Sequence, residues 1–251
     1  MKLFDSHLHI IDQRFPLVPN NGYLPDEFTC QHYRTRTEPL NIIGGAVVSG
    51  SIQAFDQSYL RAALVELGPT FIGVTQLPAS TSDQKIRELA QLGIRGLRFN
   101  LKRGGSESVE QLDYFARRVH ELAGWHVELY IDSRDLPDLF DVMRKLPAVC
   151  IDHLGLSKQG LNTLLRLVEH GVYVKSTGFG RIDFAPEQAI RAIVSINPNA
   201  LLFGTDLPST RALRPFQDQD ITLIRDTLSS AIAEKVLYHN AMTFYRVPDN
   251  R

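Results

Sequence analysis

Sulfur is scarce in this chain: its 251 residues include two cysteines, Cys30 and Cys150, and three methionines. The two cysteines form no Cys-x-x-Cys pair, which excludes a disulfide scaffold and a cysteine-based zinc module and leaves two reduced thiols as the expectation. An excess of either charge is also missing, with 27 Lys and Arg against 28 Asp and Glu. Without a broad basic field, nucleic acid and anionic membrane are not expected partners. No apolar run approaches the ~18 residues of a membrane span, and the first residues lack the basic, apolar and small-residue succession of a secretory leader. The expectation is a cytoplasmic protein acting on a small molecule. No Gly-x-Gly-x-x-Gly follows an apolar strand, which sets aside a dinucleotide-binding open sheet.

What is present is a regular alternation. Short apolar runs rich in β-branched residues predict strands over 2–7, 42–49, 70–76, 93–100, 126–131, 148–153, 172–176 and 201–206. Amphipathic stretches separate them. Asp56 can cap a helix whose stripe is Leu60, Ala63, Leu64 and Leu67, and Leu112, Phe115, Val119 and Leu122 line a helix that Gly124 ends. The pattern recurs over Leu161 to Val168 and from Pro186. Eight strand and helix pairs over this length predict one domain, residues 1–251, folded as a (β/α)₈ barrel. The stretch 10–40, with Pro16, Pro19, Pro25 and Pro39, is too long for an ordinary connection and reads as a lid over the active face.

In such a barrel, chemistry sits where strands end. His7 and His9, two apart on a strand, present their imidazoles to one side. Ser51 follows the second strand, Arg98 and Asn100 end the fourth, His153 ends the sixth and Asp206 ends the eighth. Burial behind an apolar strand would raise the Asp206 pKa toward that of a useful base; a capping role is the plainer alternative. Arg98 follows Arg95 by three residues, so only one of them faces the barrel mouth, and Arg98 is nearer the strand end. Arg181 can reach the mouth from the seventh loop or lie on the surface, and Lys175 can face either way. His32, His120, His126, His170 and His239 read as structural.

Together, Asp-Ser-His-Leu-His at 5–9, Val-Val-Ser-Gly-Ser before Asp56, Gly-Ile-Arg-Gly-Leu-Arg-Phe-Asn at 93–100, Ile-Asp-His-Leu-Gly at 151–155, Val-Lys-Ser-Thr-Gly at 174–178 and Gly-Thr-Asp-Leu-Pro at 204–208 resemble the amidohydrolase superfamily. Within it they are similar to the branch of 2-pyrone-4,6-dicarboxylate lactonases. The resemblance implies a distorted barrel that hydrolyses a small carboxylated lactone, with Asp206 activating water and His7, His9 and His153 polarising the carbonyl. Tyr23, Ser51, Asn100, Tyr130, Arg98 and Arg181 would bind substrate, with Arg98 holding a carboxylate through its planar fork.

The chain also departs from the superfamily. Tyr130 stands where many metal-using members carry a histidine after the fifth strand, and Arg98 where they often carry a lysine or glutamate on the fourth. A binuclear centre is therefore not expected, and no cofactor is the preferred expectation, as in the lactonase branch. The runner-up is one zinc or manganese ion on His7, His9 and Asp206, serving an amidohydrolase or an aromatic-acid decarboxylase. A non-catalytic binder on the same fold is the third reading.

Overall fold

The structure, a computed structural model, describes residues 1–247. Eight parallel strands pair in chain order: β1 (Leu3–Leu8), β2 (Ile42–Val48), β3 (Phe71–Thr75), β4 (Ile94–Asn100), β5 (His126–Tyr130), β6 (Val149–Ile151), β7 (Tyr173–Ser176) and β8 (Leu201–Phe203). The sheet closes through a bridge between Leu8 and Leu207. Two hydrogen bonds sew this seam, from the Asp206 amide to the His7 carbonyl at 2.7 Å and from the His9 amide to the Leu207 carbonyl at 2.8 Å. The expected (β/α)₈ barrel is present, and its first and last strands meet at the predicted site residues.

Helices α1 (Cys30–Thr37), α2 (Ser58–Leu67), α3 (Asp83–Gln91), α4 (Leu112–Ala123), α5 (Leu136–Met143), α6 (Leu161–Glu169), α7 (Pro186–Ile196) and α8 (Gln219–Thr227) form the outer layer. Asp56 does cap α2, accepting from the Ser58 amide at 3.0 Å and the Ser58 hydroxyl at 2.7 Å. Gly124 ends α4 at φ +64°, a left-handed position that glycine enters without steric cost. Two short helices follow, α9 (Ser230–Glu234) and α10 (Asn240–Tyr245); α10 plugs the bottom of the barrel, where its Tyr245 stacks on Phe4 with ring centroids 5.6 Å apart.

Three expectations need correction. The stretch 10–40 is not all lid, because α1 lies within it, capped by the Thr29 hydroxyl at the His32 amide. Its inward residues, Cys30, Tyr33 and Thr37, are too few and too polar to show as an apolar stripe. The strands expected to reach His153 and Asp206 stop at Ile151 and Phe203, since those two residues take φ values of +51° and +61°. Finally, β1 is not regular. Phe4 packs in the barrel interior and His7, three residues on, also meets inward groups, which a strict two-residue alternation forbids. A register shift between Asp5 and Leu8 reconciles the two.

Candidate active site

Asp206 organises the mouth of the barrel. Its Oδ1 lies 3.9 Å from His7 Nε2, 3.8 Å from His9 Nε2 and 3.9 Å from His153 Nε2, so three imidazoles from the ends of β1 and β6 converge on one buried oxygen. Its Oδ2 accepts from Arg181 Nε at 2.6 Å. Left-handed backbone at a residue other than glycine costs on the order of 1–3 kcal/mol where the conformation is sparsely populated, so the bends at His153 and Asp206 must be held by their surroundings. Gly178, itself at φ +60°, provides the room: a Cβ there would sit 2.7 Å from His153 Nδ1 and 3.2 Å from Asp206 Oδ2.

Electrostatics follow from burial. Desolvation raises the Asp206 pKa, and Arg181 opposes the rise. All three imidazoles are pushed the other way, mainly by the same loss of solvent, His9 to about 3 and His7 and His153 well below the ordinary value. They are neutral near pH 7. Since a carbonyl only accepts, the 2.8 Å contact of His9 Nδ1 with the Val48 oxygen puts the His9 proton on Nδ1 and leaves Nε2 bare. Contrary to the expectation from sequence that His9 polarises the carbonyl, it therefore cannot donate to a substrate carbonyl but can accept a hydrogen bond from water. His153 Nδ1 pairs with the Thr177 hydroxyl at 2.7 Å.

Beneath these groups lies a second layer whose acids, Glu128 and Asp152, sequence reasoning left out. Arg98 donates to Asp152 at 2.7 Å and to the Ser49 carbonyl at 2.8 Å, and its Nε lies 3.8 Å from Glu128. Asp152 and the Ser49 carbonyl together take both terminal nitrogens, which commits the fork expected to hold a substrate carboxylate to a buried network, although Arg98 still lines the pocket. Lys175, which alternation alone could not orient, points inward to Glu128 at 2.5 Å. Asp5 accepts from Thr205, from the His7 amide and from Tyr33 of α1; burial raises it from 3.8 to about 6 despite these donors.

The remaining predicted residues line one pocket of about 520 Å³, counting its open mouth. Tyr130 stands edge-on to His153 at 5.0 Å between ring centroids, and Ser51 and Tyr23 also line the pocket. Asn100 holds its own loop, with Oδ1 accepting from the Arg103 amide at 3.1 Å. Two arginines absent from the sequence reading join the rim, Arg103 and Arg211. Arg211 lies over the Tyr23 ring at 4.2 Å and donates to Asn20 Oδ1 at 2.8 Å, which ties the 10–28 stretch to the loop after β8. With Arg98 and Arg181, four guanidinium groups surround the pocket.

His7, His9 and Asp206, and likewise His7, Asp152 and His153, bring three ligand-type atoms within 4.8 Å of one another. The donor types suit one divalent cation; their surroundings do not. Lys175, Arg98 and Arg181 already match Glu128, Asp152 and Asp206 charge for charge, so an added ion would bring uncompensated buried charge. A metal-binding imidazole is normally backed by a carboxylate or carbonyl at its other nitrogen; His9 has this in the Val48 carbonyl, whereas the group nearest to His7 Nδ1 is the Lys175 ammonium at 3.2 Å, ahead of Asp152 at 3.4 Å and Glu128 at 3.5 Å.

A (β/α)₈ barrel with a His-x-His pair after β1, a third histidine after β6 and an aspartate after β8 defines a hydrolase of the amidohydrolase class. The chain belongs to the amidohydrolase family, whose model matches residues 4–247. It is similar to 2-pyrone-4,6-dicarboxylate hydrolase of Comamonas testosteroni, 27% identical with 96% of this chain and 89% of that protein aligned. It is also similar to 4-sulfomuconolactone hydrolase of Rhizobium radiobacter, at 26% identity over 97% and 90% of the two chains. A solved structure of a probable 2-pyrone-4,6-dicarboxylic acid hydrolase from Acinetobacter baumannii with citric acid bound superposes with a TM-score of 0.85 at 21% identity, covering 98% of this chain and all of that one. That likeness shows the shared fold.

Proposed function

We propose that the protein hydrolyses a small lactone carrying at least one carboxylate or comparable anionic group, with Asp206 as general base and no metal. The convergence of three imidazoles and a buried, Arg181-held carboxylate on one point carries this reading. Water donates one hydrogen to Asp206 Oδ1 and the other to the bare Nε2 of His9, which turns an oxygen lone pair toward the ester carbon. Asp206 takes the proton as the bond forms. His7 and His153 face the carbonyl oxygen and stabilise the charge that develops on it, an effect usually worth ~10²–10³ in rate per donor. Collapse of the tetrahedral adduct expels the ring alkoxide or enolate, and the proton held by Asp206 returns to it.

The arginine-lined rim supports an anionic substrate, as do the two relatives, whose names state a dicarboxylate and a sulfonated lactone. A screen of neutral, mono- and dianionic lactones, run on chelator-dialysed protein and on protein with added zinc or manganese, tests the proposal. Turnover of anionic lactones without metal, lost by ~10²–10⁴ in Asp206→Asn with the fold intact, is the expected result. Activity that disappears on dialysis and returns with one equivalent of metal would favour the mononuclear alternative on His7, His9 and Asp206. No turnover of any lactone would overturn the reading.

A further inference from the structure

We propose that Lys175, clamped by Glu128, fixes His7 as the tautomer that carries its proton on Nε2, making His7 a hydrogen-bond donor to the site and withdrawing it from the nitrogens able to bind a cation.

Both charged residues are fully buried inside the barrel, Glu128 on β5 and Lys175 on β7. Lys175 Nζ lies 2.5 Å from Glu128 Oε2, 3.2 Å from His7 Nδ1 and 3.8 Å from Asp152 Oδ1. An ammonium has donors only, so the ring nitrogen it meets must offer a lone pair. Two carboxylate oxygens also approach that nitrogen, Asp152 Oδ1 at 3.4 Å and Glu128 Oε1 at 3.5 Å. Both lie farther from Nδ1 than the ammonium does and neither meets it in hydrogen-bonding geometry, so the contact with Lys175 decides which ring nitrogen keeps its lone pair. The single proton of the neutral ring is thus left on Nε2, which has no hydrogen-bond partner among the described residues and looks toward Asp206 Oδ1.

His9, two residues away, is locked the opposite way by the Val48 carbonyl. One His-x-His pair therefore presents one donor and one acceptor to the same carboxylate. That asymmetry suits a reaction in which one imidazole orients water and the other meets a carbonyl oxygen, and it is wrong for a cation that needs two lone pairs. Lys175 and Glu128 touch no reacting atom in this arrangement; they are positioning residues.

The mechanistic consequence rests on the proposed hydrolase reading, but the test needs no substrate. Two-dimensional NMR of the full chain with ¹⁵N-labelled histidine distinguishes the tautomers by the shifts of their two ring nitrogens, and the spectrum of His7→Gln assigns the His7 signals. In the wild type, His7 is expected as Nε2–H and His9 as Nδ1–H. Lys175→Met combined with Glu128→Leu removes both charges together, a replacement that buried ion pairs often tolerate. Its His7 keeps Asp152 as the remaining partner for Nδ1 and is expected to flip to Nδ1–H. Zinc affinity, measured calorimetrically on the same protein, is expected to rise by ten-fold or more as His7 Nε2 becomes a ligand. Lys175→Gln retains an amide donor and should keep the wild-type tautomer. A wild-type His7 found as Nδ1–H overturns the proposal whether or not the double variant folds, and so does a folded double variant whose His7 stays Nε2–H. A failed lactone screen would leave these spectra unchanged, which separates the two proposals.

Discussion

Arg181 Nε lies 2.6 Å from Asp206 Oδ2, while Oδ1 of the same carboxylate has no hydrogen bond within the described residues. One oxygen is held and the other is left to react.

This division predicts a pH effect with a definite sign. Burial raises the Asp206 pKa and Arg181 is the main influence lowering it, so removing that guanidinium leaves the rise opposed only by the smaller effect of Arg98. A general base works ionised, and activity therefore rises with pH through its pKa. In Arg181→Met the acidic limb of kcat/KM should move to higher pH. A limb that stays in place would show that another group titrates.

Gly178→Ala should injure catalysis more than stability. The added methyl group meets His153 Nδ1 at 2.7 Å and the backbone there is left-handed. We expect about 1–2 kcal/mol of lost stability by urea unfolding, from the strained φ. The displaced imidazole should lower kcat on the order of 10²-fold. A variant with wild-type kcat would mean that His153 does not need its present position.

The rim arginines should act on binding. Arg103→Ala and Arg211→Ala are each expected to raise KM for an anionic lactone by roughly ten-fold with kcat nearly unchanged, as for an interaction equally strong in ground and transition states. Neutral lactones should be indifferent to both changes. Equal losses for charged and neutral substrates would assign these residues to loop structure through Asn20 and Asn100.

Asp5 offers a stability test. Its folded pKa, raised to about 6 from 3.8, means that the native state binds more protons than the unfolded chain between those values. Its contribution is therefore full below about pH 4 and is lost as pH rises through 6. Carboxyl ¹³C NMR should place the Asp5 midpoint near 6, and the fall in Tm over that range should be shallower in Asp5→Asn. A midpoint near the ordinary value would remove the basis for both expectations.

How much of this was readable in the sequence depends on the kind of signal. Eight apolar runs at regular spacing fix a barrel, and polar residues that interrupt such runs at their ends, as His7, His153 and Asp206 do, advertise a site. Glu128 and Lys175 gave no such signal, because charges alternating with apolar residues in a strand look the same whether they face solvent or a buried partner. Arg98 sat where a substrate-binding arginine belongs, and Asp152, adjacent to His153 in sequence, reached it only through the closing of the sheet. Arg103 and Arg211 come from loops, where position relative to the pocket is set by turns such as the one Asn100 stabilises. The tautomer of His9 depends on a carbonyl of a neighbouring strand, which no local pattern encodes.

The seam hydrogen bonds have a consequence for how the enzyme comes into being. Asp206 joins the backbone of His7 across 199 residues of chain, so the groups that must meet for chemistry come from the first and the last strands of the barrel. Such distant pairings are late and slow to form. A nascent chain that lacks β8 has its histidines without their carboxylate, and catalytic competence arrives only when the final strand has closed the ring. Recovery of turnover during refolding would thus report ring closure itself, later than the recovery of helical signal.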